Sequence, residues 1–142
     1  MIGIFICIGA LTEVGLLNEL VDQLEKLIGN NILLGFITII LVSVLISGFV
    51  DNVPYIMAML PVISSLAGRL NLKPELFMFA LLVGSCLGGN ITPFGASANV
   101  AAVGILKKEG AVLDFPGWLK IGLPFTFITT AAASLFLWFI WR

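Results

Sequence analysis

Histidine is absent from the 142 residues, which removes the commonest general base and metal ligand. Charged residues are scarce at 11%, where a soluble globular domain carries about 25%. Cysteine is limited to Cys7 and Cys86, which sit in separate apolar segments. Their spacing suggests neither a disulfide framework nor a metal site, and both read as packing residues. A net charge of -1 gives no reason to expect a nucleic-acid partner. Ser47, Ser85 and Ser97 have no histidine to activate them, and Asp51 is the sole carboxylate within the long apolar runs. Covalent catalysis therefore lacks its base, and the chain does not read as an enzyme. The first residues, 1–11, are apolar without a basic leading segment, which argues against a signal peptide.

What the chain has instead is apolar residues: 60% of the total, with a mean hydropathy of +1.16. This is the composition of an integral membrane protein. Residues 76–106 contain no Asp, Glu, Lys or Arg, and about 20 apolar residues suffice to cross the hydrocarbon core. Yet the middle of that run carries Gly88, Gly89, Pro93 and Gly95, interleaved with Asn90, Thr92, Ser97 and Asn99. Proline removes a donor and clashes with the preceding turn, so the helix breaks there. Broken backbone at bilayer depth is tolerated only when it is buried in protein or lines a polar cavity. A discontinuous membrane helix with amides and hydroxyls at the break is a common transporter binding site. Close helix packing is the competing account of Gly84, Gly88 and Gly95 taken singly. It does not account for the clustered Asn90, Thr92, Pro93 and Asn99.

The remaining segments follow in chain order. Residues 1–11 are short for a span and read as one that has lost its beginning, which makes the chain a fragment. Residues 12–30 alternate Leu16, Leu20, Val21, Leu24 and Ile28 with Glu13, Glu19, Asp22, Glu25 and Lys26. That pattern predicts an amphipathic connector at the membrane interface, ending near Gly29 and Asn30. Residues 31–68 present two apolar arms around Ser47, Gly48, Asp51, Asn52 and Pro54. Arms near or below the spanning threshold, meeting at a polar tip, predict a re-entrant helical hairpin. Asp51 is the key residue of that tip, since an intramembrane carboxylate marks an ion pathway or pairs with another charge. The competing reading is an ordinary loop between two full spans, with Asp51 solvated. Residues 74–106 form the broken helix, with Pro74 at its start, and Asp114, Phe115, Pro116, Gly117 and Trp118 form a connector. Residues 118–141 hold the final span, closed by Trp138, Trp141 and the snorkelling Arg142. Basic residues divide too evenly between the two sides to set the orientation.

The two polar breaks share one inventory. Ser47, Asp51, Asn52, Asn90, Thr92, Ser97 and Asn99 supply side-chain oxygens, and glycines such as Gly89 and Gly95 leave backbone groups accessible. Unwound carbonyls beside helix C-termini suit sodium, with Asp51, Asn52, Asn90 and Thr92 as candidate ligands. Helix N-termini suit an anion. The expected partners are thus the bilayer and a small ion or anion, with a coupling sodium or proton and no organic cofactor.

Three stretches carry a family resemblance: Gly9-Ala10-Leu11-Thr12-Glu13-Val14-Gly15, Ser47-Gly48-Phe49-Val50-Asp51-Asn52-Val53-Pro54-Tyr55, and Gly88-Gly89-Asn90-Ile91-Thr92-Pro93-Phe94-Gly95-Ala96-Ser97-Ala98-Asn99-Val100. In order and spacing the chain resembles the ArsB/NhaD-type permeases of the ion transporter superfamily. These include arsenite permeases, sodium/proton antiporters and relatives of the citrate and divalent anion symporters. The resemblance implies an all-α integral membrane fold of two inverted repeats, each with a re-entrant hairpin and a discontinuous helix. This chain would be most of the second repeat, a single incomplete domain, and the missing first repeat would supply the other half of the site. It implies a multi-pass protein of the plasma membrane, with homodimers common among relatives, Lys107 and Lys108 in the cytoplasm and Arg142 outside. Asp51 and Asn52 would form the hairpin-tip site. Gly89, Asn90, Thr92, Gly95, Ser97 and Asn99 would form the unwound part. The symporter relatives carry Ser-Asn-Thr at the hairpin tip where this chain has Asp51-Asn52-Val53, so dicarboxylate specificity does not carry over. The rival expectation is a non-transporting membrane protein or permease remnant in which the apolar runs only pack.

Overall fold

A computed structural model describes residues 2–29, 31–70, 73–111 and 113–141. Arg142 and the Cys7 side chain, both given roles above, lie outside the described residues, as does Asn30. Among the described residues there are seven α-helices and no strand: α1 (Ile2–Glu13), α2 (Leu16–Ile28), α3 (Ile32–Ser47), α4 (Asn52–Arg69), α5 (Pro74–Gly88), α6 (Ser97–Lys108) and α7 (Phe115–Trp141). Only α7, among the described residues, is both long and apolar enough to cross a bilayer, while α3 and α5 are apolar but shorter.

The core forms where α3, α4 and α5 meet, around Phe36, Ile40, Ile63, Leu66, Phe77 and Leu81. Small residues let α3 and α5 approach to backbone contact. A Cβ on Gly88 would lie 2.5 Å from the Val44 carbonyl oxygen, and one on Gly84 would lie 2.9 Å from that of Ile40. The buried hydroxyls of Ser43 and Tyr55 share a hydrogen bond of 3.1 Å between α3 and α4.

The amphipathic segment does more than lie apart as a connector. Val21 and Ile28 of α2 are buried in the same core, and Arg69 at the end of α4 pairs with Asp22 at 2.5 Å and Glu25 at 3.3 Å. Both carboxylates hold the guanidinium in its charged form, raising its pKa. At the other end of the chain, the helix starts earlier than the connector reading of residues 114–118. Asp114 accepts a hydrogen bond from the Gly117 backbone N–H at 3.1 Å, and Phe115 opens α7. An acidic cap with proline in the first turn is a strong helix start. Pro124 consequently falls inside α7 rather than at its beginning.

Candidate functional site

Two irregular segments follow the C-terminal ends of α3 and α5. The first joins α3 to α4 through Gly48, Phe49, Val50 and Asp51. The second, residues 89–96, joins α5 to α6. They meet. Thr92, fully buried, donates its hydroxyl to the Gly48 carbonyl at 2.5 Å. Gly95 is pressed into the same junction, where a Cβ would sit 2.7 Å from the carbonyl oxygens of both Gly48 and Gly89. No other residue fits there, because the obstruction is backbone.

Ser47 ties the hairpin side together. Its buried hydroxyl lies within hydrogen-bonding reach of the Asn52 side-chain amide and of the Ser85 carbonyl on α5. The Asn52 amide oxygen in turn lies 3.2 Å from where a Gly89 Cβ would project. Asn99, on the first turn of α6, reaches back into the break and donates to the Gly89 carbonyl at 2.9 Å and the Thr92 carbonyl at 3.0 Å. Asn90 donates its side-chain amide to the Leu87 carbonyl at 3.2 Å, which closes off the end of α5.

Of the residues singled out from sequence, Ser47, Asn52, Gly89, Thr92, Gly95 and Asn99 thus converge on one junction, and Asn90 borders it. Asp51 and Ser97 do not join its hydrogen bonds. Asp51 stands at the N-cap of α4, exposed and without a capping side-chain hydrogen bond, and Ser97 is exposed at the start of α6. Among the described residues no group of three His, Cys, Asp or Glu gathers for a metal ion. The oxygens gathered at this junction are those of amides, hydroxyls and main-chain carbonyls.

Helix ends give the junction its electrostatics. α3 and α5 present their C-terminal carbonyls here, through Gly48 and Gly89, while α4 and α6 begin at Asn52 and Ser97. Helix C-termini carry partial negative charge and N-termini partial positive charge, so a cation and an anion can be held side by side. An aromatic row of Phe49, Phe94 and Phe115 flanks the junction, with ring centroids 6.4 and 6.0 Å apart.

Sequence reasoning missed three contributors. The Ser85 main-chain carbonyl, Trp118 and Gly122 carry no motif, and their roles depend on which helix lies opposite. Trp118 and Gly122, with Asn90, Asn99, Leu113, Ile121 and Phe125, line a cleft of about 210 Å³ beside the break. A larger groove of about 360 Å³ between α3 and α7 is mostly apolar, with Thr126, Thr130 and Ser134 as the hydroxyl-bearing residues in its wall.

The family profile described as citrate transporter matches residues 1–142. An uncharacterised transporter of Mycobacterium tuberculosis is 37% identical over 138 residues, covering 96% of this chain and 32% of its own length. An uncharacterised transporter of Synechocystis is 31% identical over 149 residues, covering 94% of this chain and 33% of its own length. The P protein of Homo sapiens is 32% identical over 127 residues, or 88% of this chain and 15% of that protein. The chain spans about a third of the length of these bacterial relatives. No solved structure matches it.

Proposed function

The chain belongs to the citrate transporter family of the ion transporter superfamily, and from that premise we propose that it forms part of a secondary active ion transporter. In this reading it couples sodium or protons to the movement of a small anion, or exchanges the two cations. The observation that carries the proposal is the meeting of residues 48–51 with residues 89–96, where Thr92 bonds to Gly48 and four helix ends converge. Irregular backbone surrounded by apolar helices serves to hold a solute.

Helix lengths support a re-entrant hairpin. With 16 residues, α3 extends about 24 Å, short of the ~30 Å hydrocarbon core. The α3–α4 turn then lies within the bilayer, and α5 with α6 forms the discontinuous helix opposite it. The protein is multi-pass in the plasma membrane, and this chain is its second repeat, completed by a first. Asn52, Asn90 and Thr92 surround a sodium in its bound state, with Asp51 supplying the charge or carrying a coupling proton. The start of α6, with Gly95, Ser97 and Asn99, faces the anion. A carboxylate anion such as citrate ranks first because the family description names it; arsenite ranks second, on the motif resemblance.

The test is flux into proteoliposomes by the full-length protein, with citrate, arsenite and sodium/proton exchange measured in turn. Asp51→Asn is expected to abolish coupled transport while leaving membrane insertion intact. Unchanged transport removes Asp51 from the mechanism, and absence of flux for every solute favours a structural remnant.

A further inference from the structure

We propose that Trp118 is a positioning residue for the unwound segment, acting with Gly122 to clamp the main-chain carbonyl of Asn90 and thereby set solute affinity. The proposal rests on the transporter reading above and extends it to a helix on which that reading places no site residue.

Start from the carbonyls of the break. Outside a helix they have no intrahelical partner, and each must find another donor or bind a ligand. Asn99 satisfies Gly89 and Thr92. Asn90 lies between them, and its carbonyl accepts the indole N–H of Trp118 at 3.1 Å. Tryptophan has one donor and no acceptor, so this bond has a single direction and a single position along α7.

Gly122, buried one turn further along α7, makes the approach feasible. A Cβ there would lie 2.6 Å from the Asn90 carbonyl oxygen, and 3.2 Å from both the Ile91 carbonyl oxygen and the Trp118 indole nitrogen. The helix backbone therefore rests directly against two carbonyls of the break. Trp118 and Gly122 also form part of the wall of the 210 Å³ cleft that Asn90 and Asn99 line from the other side. With the carbonyl fixed, the Asn90 peptide cannot rotate, and its side chain and the Asn99 amide keep their places around the solute. Preorganised groups bind more tightly because less ordering remains to be done on binding.

The full-length protein in proteoliposomes provides the test, using whichever of citrate, arsenite or sodium it moves. Trp118→Phe keeps an aromatic ring but loses the donor. The half-saturating solute concentration should rise about two- to tenfold, the worth of one hydrogen bond, with the maximal rate per inserted protein nearly unchanged. Gly122→Ala should shift it in the same direction. The double variant should shift it by less than the product of the two, since both act on one carbonyl. Trp138→Phe, whose ring packs on Phe36 at 5.4 Å, controls for loss of a tryptophan and should leave half-saturation unmoved. Equal half-saturation in wild type, Trp118→Phe and Gly122→Ala overturns the proposal, as does a fully multiplicative double variant. Amide hydrogen exchange across residues 90–95 supplies a readout independent of transport. It should accelerate in Trp118→Phe, and unchanged protection overturns the clamp. Should the wild type move no solute, the transporter reading fails and the exchange measurement alone decides on the clamp.

Discussion

The α3–α5 crossing and the α6–α7 side of the molecule are built by different rules. At the crossing, Gly84 and Gly88 bring backbone against backbone, and Phe77, Ala80 and Leu81 are almost fully buried. On the other side, Asn99 is the one buried residue of α6, and α7 buries only Gly122, Thr126 and Leu137. Phe127 and Phe139 of α7 are 77% and 83% exposed. The difference shows that apolar content does not predict burial in this chain. Helices of similar composition pack on protein in one half and face outward in the other, as lipid-facing surfaces do. Asn99 and Gly122 turn inward at the polar break, whereas Leu137 joins the hydrophobic core.

That contrast can be broken or sharpened by substitution, measured as thermal or denaturant stability of the detergent-solubilised protein. Phe77→Ala should cost the most, about 3–5 kcal/mol, because it empties a filled core position. Phe139→Ala should stay within about 0.5 kcal/mol, and equal losses at the two sites would erase the distinction. Gly88→Ala comes next. Its Cβ meets the Val44 backbone at 2.5 Å, and overpacking of this kind costs about 1–3 kcal/mol. Gly104→Ala, with nothing within 4 Å, should instead stabilise α6 by about 0.5–1 kcal/mol. Arg69→Ala should have the smallest effect. Its ion pairs with Asp22 and Glu25 are exposed, so added salt should mask the change.

How much of this was legible beforehand depends on the kind of signal. The all-helical class follows from the lengths of the apolar runs and from the amphipathic spacing of residues 12–30, and the family resemblance implies the same. The α5 helix ends at Gly88 and the next begins at Ser97, around the Gly-Gly and Pro-Phe-Gly elements whose backbone chemistry is local and readable. The junction itself is less readable, because the Thr92–Gly48 bond joins residues 44 apart in sequence. Trp118 was the least readable of all. A tryptophan near the start of a membrane helix is ordinarily an interfacial anchor, and only the position of α7 against the break gives its N–H a carbonyl to bind. Asp51 illustrates the converse. Its chemistry stands out in the sequence, yet in the fold its side chain is exposed at the N-cap of α4 and separate from the buried amides.

Gly88 against Val44 has a mechanical corollary. Where Gly88 rests on the main chain of Val44, no side chain separates the two helices, so sliding one along the other brings larger residues against backbone at that point. The hairpin tip and the break are carried at the ends of those helices. If the proposed transport holds, the rearrangement that admits and releases a solute carries both segments as one piece.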